Sequence, residues 1–341
     1  MPSTAPFTLD GLSVEPGTRA DHLLQVGTRL DNTSFGIPVI VLHGAEPGAV
    51  LLIDGATHGD ELEALLAIHQ ICSSIDPAEM RGTLLAVPAV NFLALEAMER
   101  GTPRGLTGEP FSNDLNRIFP GRAEGSTTER IAARYLQEII GKAQYMITTH
   151  GAGNSFMGPP KVLYDDYGDD IGRANRELAK AFGWPILWCN SGGYVFKGTS
   201  ASAAHELGIP AIVPEHGGSD RMPERYDTYI QNFANGFLNV MRHLEMIAGD
   251  VTKPERFLIC KDDTHIHVDR DALVRFDSGI TLQTEVEQGQ RLAVMYDVFG
   301  KEVGQVFAPW SGTIILIRTY PVLKTGDWIV SITRDAHYEA A

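Results

Sequence analysis

Short runs of consecutive apolar residues recur along the first two thirds of the chain: IPVIVL (37–42), AVLLID (49–54), TLLAVP (83–88), YMIT (145–148), WPILWC (184–189) and PAIVPE (210–215). Runs of this length without polar alternation are what strands buried on both faces require. Helical patterns lie between them. ELEALLAIHQIC carries apolar residues at helical spacing, and STTERIAARYLQEII opens with Ser126 and Glu129 in capping-box register. Strands alternating with helices need crossover connections, so the expected fold class is α/β, a mixed central sheet flanked by helices. After about residue 250 the texture changes to short β-like runs between turn signals, among them ALVRFDSG, LAVMYDVFGKEVG, VFAPWSGTIILIRTY and LKTGDWIVSI. The expected division is a catalytic α/β domain over 1–250, with an N-terminal β segment at about 1–35, and a small C-terminal all-β domain over 251–341.

Charge narrows the partners. The 28 basic and 43 acidic residues leave a net charge of −15, which repels phosphate backbones and anionic lipid. Neither nucleic acid nor membrane is expected, and small molecules remain. No stretch approaches 18 apolar residues, and MPSTAPFTLDGLSVEPGTRAD lacks a basic segment followed by an apolar one. Cys72, Cys189 and Cys260 are far apart and odd in number, which argues against a disulfide framework and for a reducing cytoplasm.

In an open α/β sheet the ligand site lies beyond the carboxyl ends of the strands, so the polar residues just past each apolar run carry the argument. After AVLLIDGAT come His58 and Glu61; after YMITT comes His150; PAIVP ends on Glu215; and the loop after TLLAVPAV leads to NDLNRIFPG with Asn116 and Arg117. His58 and Glu61, three apart, point the same way on a helical turn or tight loop. With one distant histidine they form a His₂Glu set, the complement of hydrolytic zinc centres that leave a fourth position to water. Amide hydrolysis there needs a further carboxylate to move a proton from water to the leaving nitrogen, and Glu215 is placed for it. Arg117 can grip a substrate carboxylate in a bidentate pair, with the Asn116 amide adding a hydrogen bond. Each feature taken singly has an ordinary structural use; their agreement on one mechanism is what points to a site.

HGDE, TTHG, NDLNRIFPG and PEHGG, in this order, resemble the succinylglutamate desuccinylase/aspartoacylase family, a branch of the zinc carboxypeptidase-like fold. The resemblance covers nearly the whole chain, since that family also carries a C-terminal β domain with sequences like AVMYDVFGKEVGQVFAPWSGTI. It implies one zinc ion per chain held by His58, Glu61 and His150, with Glu215 as general base and acid and Asn116 with Arg117 as the carboxylate grip. It also implies an arginine that polarises the scissile carbonyl, for which Arg104 is the candidate and Arg100 and Arg122 the alternatives. The implied substrate is a small N-acyl amino acid. One departure stands out: the third ligand of the family sits in Asp-Leu-His, whereas here Thr148 holds the position of the aspartate.

The alternatives are a metallocarboxypeptidase acting on short peptides and a ligand-binding member of the fold without catalysis. The β domain is expected to cover part of the active-site mouth or to build an interface with a second copy in a homo-oligomer. GAGNSFMGPPKVLYDDYGDD is expected to form pocket loops, with Asp165, Asp166, Asp169 and Asp170 on a solvated surface. His265 and His267 are expected on a surface strand, and His216, next to Glu215 but on the opposite face of the strand, is expected to line the pocket or to tune that carboxylate.

Overall fold

The computed structural model describes residues 5–103, 113–191, 197–261 and 265–341. Each apolar run seeds a strand: Ser34–His43, Glu46–Asp54, Arg81–Val87, Tyr145–Thr148, Ile186–Ser191 and Ala211–Gly218. Four of them run parallel at the centre, with Ile212 beside Ile147, Ile53 beside Ile147 and Leu52 beside Leu85. Ser34–His43 and Thr18–Thr28 extend the sheet antiparallel on one side.

Both faces of the sheet are covered, which is why the runs lack polar alternation. Leu51 and Ile53 face a layer containing helices Leu65–Ser74, Asp170–Phe182 and Pro223–His243, through Ile68, Phe182, Phe233 and Phe237. Leu52 faces the opposite layer, where Ile131 and Tyr135 of helix Thr127–Glu138 pack with Ala204 of helix Ser200–Glu206. The capping box expected at Ser126 and Glu129 forms in both directions. The helix expected from Glu61 starts only at Leu65; the residues before it make a tight turn with Glu61 N–H bonded to the His58 carbonyl at 3.2 Å.

The segment read as pocket loops contains an 11-residue strand, Phe156–Asp166. Its prolines hid it. Pro159 and Pro160 fall where the register against Ala211–Gly218 shifts between Glu215 and Gly217, a bulge at which the missing N–H groups break no ladder bond. This strand couples the two halves of the chain, pairing with Ile186–Ser191 through residues 161–166 and with Gly312–Arg318 through Phe156 and Met157. Residues past 250 go two ways. Arg256–Lys261 and His337–Ala340 extend the central sheet beside Ile186–Ser191, while later strands enclose a separate core of Val268, Leu292, Ile314 and Val330. No helix among the described residues is long and apolar enough to cross a membrane.

Candidate metal centre and its cavity

Three strands end at the site. His58 and Glu61 follow Glu46–Asp54, His150 follows Tyr145–Thr148, and Glu215 lies on Ala211–Gly218. Main-chain pairing fixes the last two together: His150 N–H donates to the Pro214 carbonyl at 2.9 Å, and His150 and Glu215 form a parallel bridge. The His58–Glu61 loop lies against helix Phe92–Ala97 so closely that a Cβ on Gly59 would come within 2.0 Å of the Ala94 carbonyl carbon. Glycine is the residue that fits there.

His58 Nδ1 lies 2.9 Å from Glu61 Oε1, and His150 Nδ1 lies 2.7 Å from Glu61 Oε2. All three side chains are buried, and their donor atoms fall within 4.8 Å of one another. The far nitrogens are engaged as well. His58 Nε2 lies 3.0 Å from Asp114 Oδ1, the carboxylate–imidazole arrangement that fixes a ligand's orientation and leaves Nδ1 for a metal. His150 Nε2 lies 3.3 Å from Asn116 Nδ2, while Asn116 Oδ1 accepts from Ser200 N–H at 2.9 Å. Asn116 is therefore engaged at both ends of its amide, against His150 on one side. Arg100 donates to Glu61 at 3.0 Å and to Asp114 at 3.2 Å.

Electrostatics follow from burial opposed by charge. Burial alone would raise the Glu61 carboxyl, but the two imidazoles outweigh it and hold the group well below the usual carboxylate range. Burial likewise opposes the charge on Asp114, and His58, Arg100 and Arg117 reverse it to hold that carboxyl low. A deprotonated Glu61 is the form that ligates a divalent metal, which would also displace the proton that Glu61 and Asp114 favour on His58.

Asp54, the last residue of the run AVLLID, bears on the Thr148 departure. It is fully buried beside Thr148 in strand register and accepts hydrogen bonds from the Thr148 hydroxyl at 2.9 Å and the Tyr135 hydroxyl at 2.6 Å. The carboxylate absent from position 148 thus stands across the strand pair. Burial pushes Asp54 up to about 6, against those hydroxyl donors.

His58, Glu61, Arg100, Asp114, Asn116 and His150 line a cavity of about 460 Å³ that also takes in Arg117, Glu215 and, from the C-terminal segment, His265, Leu316 and Trp328. The C-terminal strands thus contribute a wall of the cavity. Glu215 Oε2 is 2.9 Å from the ammonium of Lys161, whose side chain is 1% exposed; no local pattern in the sequence marks Lys161. Three expectations need correction. His265 is a cavity-wall residue stacked on Trp328 at 3.7 Å between ring centroids, leaving His267 exposed. Asp165 also lines the cavity, whereas Asp169 caps the following helix by accepting from Gly172 N–H. His216 points to the opposite face from Glu215, against Trp184, Tyr229 and Phe233, where burial depresses its imidazole to about 4. Arg122 pairs with Glu129 at 2.7 Å, and Arg104 lies outside the described residues.

Glu63 sits behind the cluster and makes a stability prediction. It is 3% exposed; Oε1 accepts from Gly218 N–H at 3.0 Å, and Oε2 has no hydrogen-bond partner among the described residues. Burial pushes its carboxyl up to about 7, from an ordinary value near 4.5. The folded protein therefore binds this proton more tightly than the unfolded chain. The contribution is present in full below about pH 4.5 and is lost as pH rises through about 7. Glu63→Gln should leave stability nearly unchanged at pH 4.5 and raise it at pH 8.5, by about 3 kcal/mol for a shift of this size. Urea denaturation at both pH values, with chelator present throughout, checks it; equal differences at both would remove Glu63 as the cause.

A mixed α/β sheet with a buried His-Glu-His cluster at its strand ends, lined on one side by C-terminal β strands, is a carboxypeptidase-like fold whose cluster could hold a metal ion. The catalytic-domain model of the succinylglutamate desuccinylase/aspartoacylase family matches residues 47–244, and the chain belongs to that family. It is 26% identical to an N-alpha-acetyl-L-2,4-diaminobutyric acid deacetylase of Halomonas elongata, over 97% of this chain and 94% of that protein. Among solved structures, the product-bound ectoine utilization protein EutE (DoeB) of Ruegeria pomeroyi superposes with a TM-score of 0.83 at 25% identity, covering 97% of this chain and 98% of the other. A succinylglutamate desuccinylase of Silicibacter sp. TM1040 shares the fold with a TM-score of 0.83 at 24% identity, covering 99% of each chain.

Proposed function

We propose that this chain is a zinc-dependent deacylase that hydrolyses the amide of a small N-acyl amino acid, releasing a carboxylate and the free amino acid. The observation that carries this reading is the convergence of His58 Nδ1 and His150 Nδ1 on the two oxygens of Glu61, within 2.9 and 2.7 Å. Two imidazoles and a carboxylate are a donor set suited to zinc, with one position left open. When bound there, zinc supplies Lewis acidity toward a carbonyl oxygen and lowers the pKa of water.

The chain's own residues do the rest. Asp114 holds the His58 ring, and Asn116 and the main-chain bond to Pro214 hold His150. Glu215 accepts a proton from the attacking water and returns it to the departing nitrogen. Arg117, lining the same cavity, takes the substrate carboxylate in a charge-assisted pair, with Asn116 beside it. Arg100 is committed to Glu61 and Asp114, which leaves polarisation of the scissile carbonyl to Arg104. The curated relative's action on an acetylated diamino acid supports an N-acetylated amino acid as the first substrate to try.

The test is a deacylation screen over N-acetyl and N-succinyl amino acids, with dipeptides as the competing class, alongside metal analysis. One zinc per chain, chelator-sensitive release of free amino acid, and loss of the metal in His150→Ala are expected. A chain that purifies and reconstitutes without metal, or that cleaves only dipeptides, defeats the proposal.

A further inference from the structure

On the cavity side of the sheet three neighbouring strands build a ladder. Glu215 is in register with Lys161, Val213 with Leu163, Leu163 with Trp188, and Asp165 with Asn190. Side chains two apart share a face, so successive rungs recede from Glu215: first the Glu215–Lys161 pair, then an apolar rung of Val213, Leu163 and the Trp188 ring, then Asp165 with Asn190. Asp165 is four steps along the strand from Lys161, roughly 13 Å between their Cα atoms.

The far rungs carry unfulfilled polar atoms. Trp188 is 4% exposed and Asn190 8%; both line the cavity. Trp188 Nε1 and Asn190 Oδ1 are buried without hydrogen-bond partners among the described residues. Asn190 spends its Nδ2 donor on Asp165 Oδ1 at 2.8 Å, and the Tyr167 hydroxyl donates to Asp165 Oδ2 at 3.0 Å. The amide orientation is thereby fixed, with its carbonyl oxygen left as an acceptor. A buried donor and a buried acceptor without partners each carry a desolvation penalty that a ligand group of matching polarity removes.

We infer that Trp188, Asn190 and Asp165 form a side-chain subsite for an N-acyl amino acid bearing a second, cationic amino group. The order of rungs matches the order of groups in such a molecule. With the scissile amide at Glu215, the α-carboxylate accepts from Trp188 Nε1 as well as from Arg117. The methylenes pass the apolar rung, and the ammonium donates to Asn190 Oδ1 and the Asp165 carboxylate. The stacked rings of His265 and Trp328 complete the wall. This assignment rests on the deacylase reading for its orientation and goes beyond it in naming the side chain.

The zinc-loaded chain is to be assayed with Nα-acetyl-L-2,4-diaminobutyrate and with Nα-acetyl-L-norvaline, in which a methyl replaces the ammonium. Binding of free L-2,4-diaminobutyrate and L-norvaline is measured by calorimetry. Wild type should prefer the charged substrate in kcat/KM by roughly 10- to 100-fold, the range for a charge-assisted hydrogen bond. Asp165→Asn should remove most of that preference through KM on the charged substrate alone. Asn190→Leu, a second and near-isosteric removal of an acceptor, should show the same selective loss. Trp188→Phe should weaken both substrates alike. Equal turnover of the two substrates by wild type, or equal loss on both in Asp165→Asn and Asn190→Leu, overturns the subsite while leaving the deacylase reading intact. Selective binding of the diamino acid that Asp165→Asn abolishes, without deacylation of any substrate, sustains the subsite and overturns the deacylase reading instead.

Discussion

Glu215→Gln is expected to retain one zinc per chain and to lose roughly 10²- to 10⁴-fold in kcat, the range for removing a general acid–base. None of the three candidate metal donors is touched by this change, and Glu215 is tied to the cluster through the main-chain bridge at His150. Glutamine keeps the size of the side chain and an oxygen that accepts from the Lys161 ammonium, so neither the strand pairing nor the buried lysine should be disturbed. What it cannot do is take up the proton that water must surrender and return it to nitrogen. Turnover on an N-acetyl amino acid and zinc content by mass spectrometry are measured on one preparation. A kcat within tenfold of wild type at full zinc occupancy removes Glu215 from the chemistry. His150→Ala should lose both metal and turnover, and that contrast separates loss of the base from loss of the site.

The parts of the site that the sequence exposed are those where chemistry sits directly at the end of an apolar run. His58, His150 and Glu215 follow or end such runs, and a strand terminus predicts where the side chain goes. Glu61 was legible because three residues of spacing on a tight turn leave few directions open. Asp114 carries no local signal, and Asn116 is legible as a site residue only in the role of a substrate grip, not as a partner of His150. Asp114 and Asn116 reach the two imidazoles from a distant loop, a relation that no local period encodes. Asp54 was read as the end of a strand, yet a carboxylate inside a run buried on both faces already demands hydrogen-bond partners, and it finds two hydroxyls. Strand Phe156–Asp166 was missed because its prolines imitate a loop, and with it went Lys161 and the ladder from Glu215 to Asp165. His265 was judged by its own three-residue strand, whereas its place in the cavity wall depends on where Gly312–Arg318 docks against Phe156 and Met157. Local pattern thus located the strand ends, while pairing between strands decided which side chains share a wall.

The same ladder sets an expected asymmetry in stability at the Lys161–Glu215 pair. Lys161 is 1% exposed while the Glu215 side chain is 23% exposed toward the cavity, so the two charges are not equally dependent on each other. Glu215→Leu strands a buried ammonium, and breaking a buried pair from that side is expected to cost about 3–5 kcal/mol. Lys161→Met strands a carboxylate that cavity water still reaches, and its cost should be smaller by several-fold. Removing both leaves two apolar side chains facing each other next to Val213 and Leu163. The double variant Lys161→Met/Glu215→Leu should therefore recover most of the stability lost in Glu215→Leu alone, a non-additivity that a double-mutant cycle reads directly. Chemical denaturation of the four proteins at pH 7 with chelator present provides the measurement. Additive losses would mean that the ammonium is neutralised or solvated by something other than Glu215. Recovery in the double variant would identify Lys161 as the group that fixes where the Glu215 carboxylate stands, since it is the ammonium within 2.9 Å of that carboxylate and on the adjacent strand.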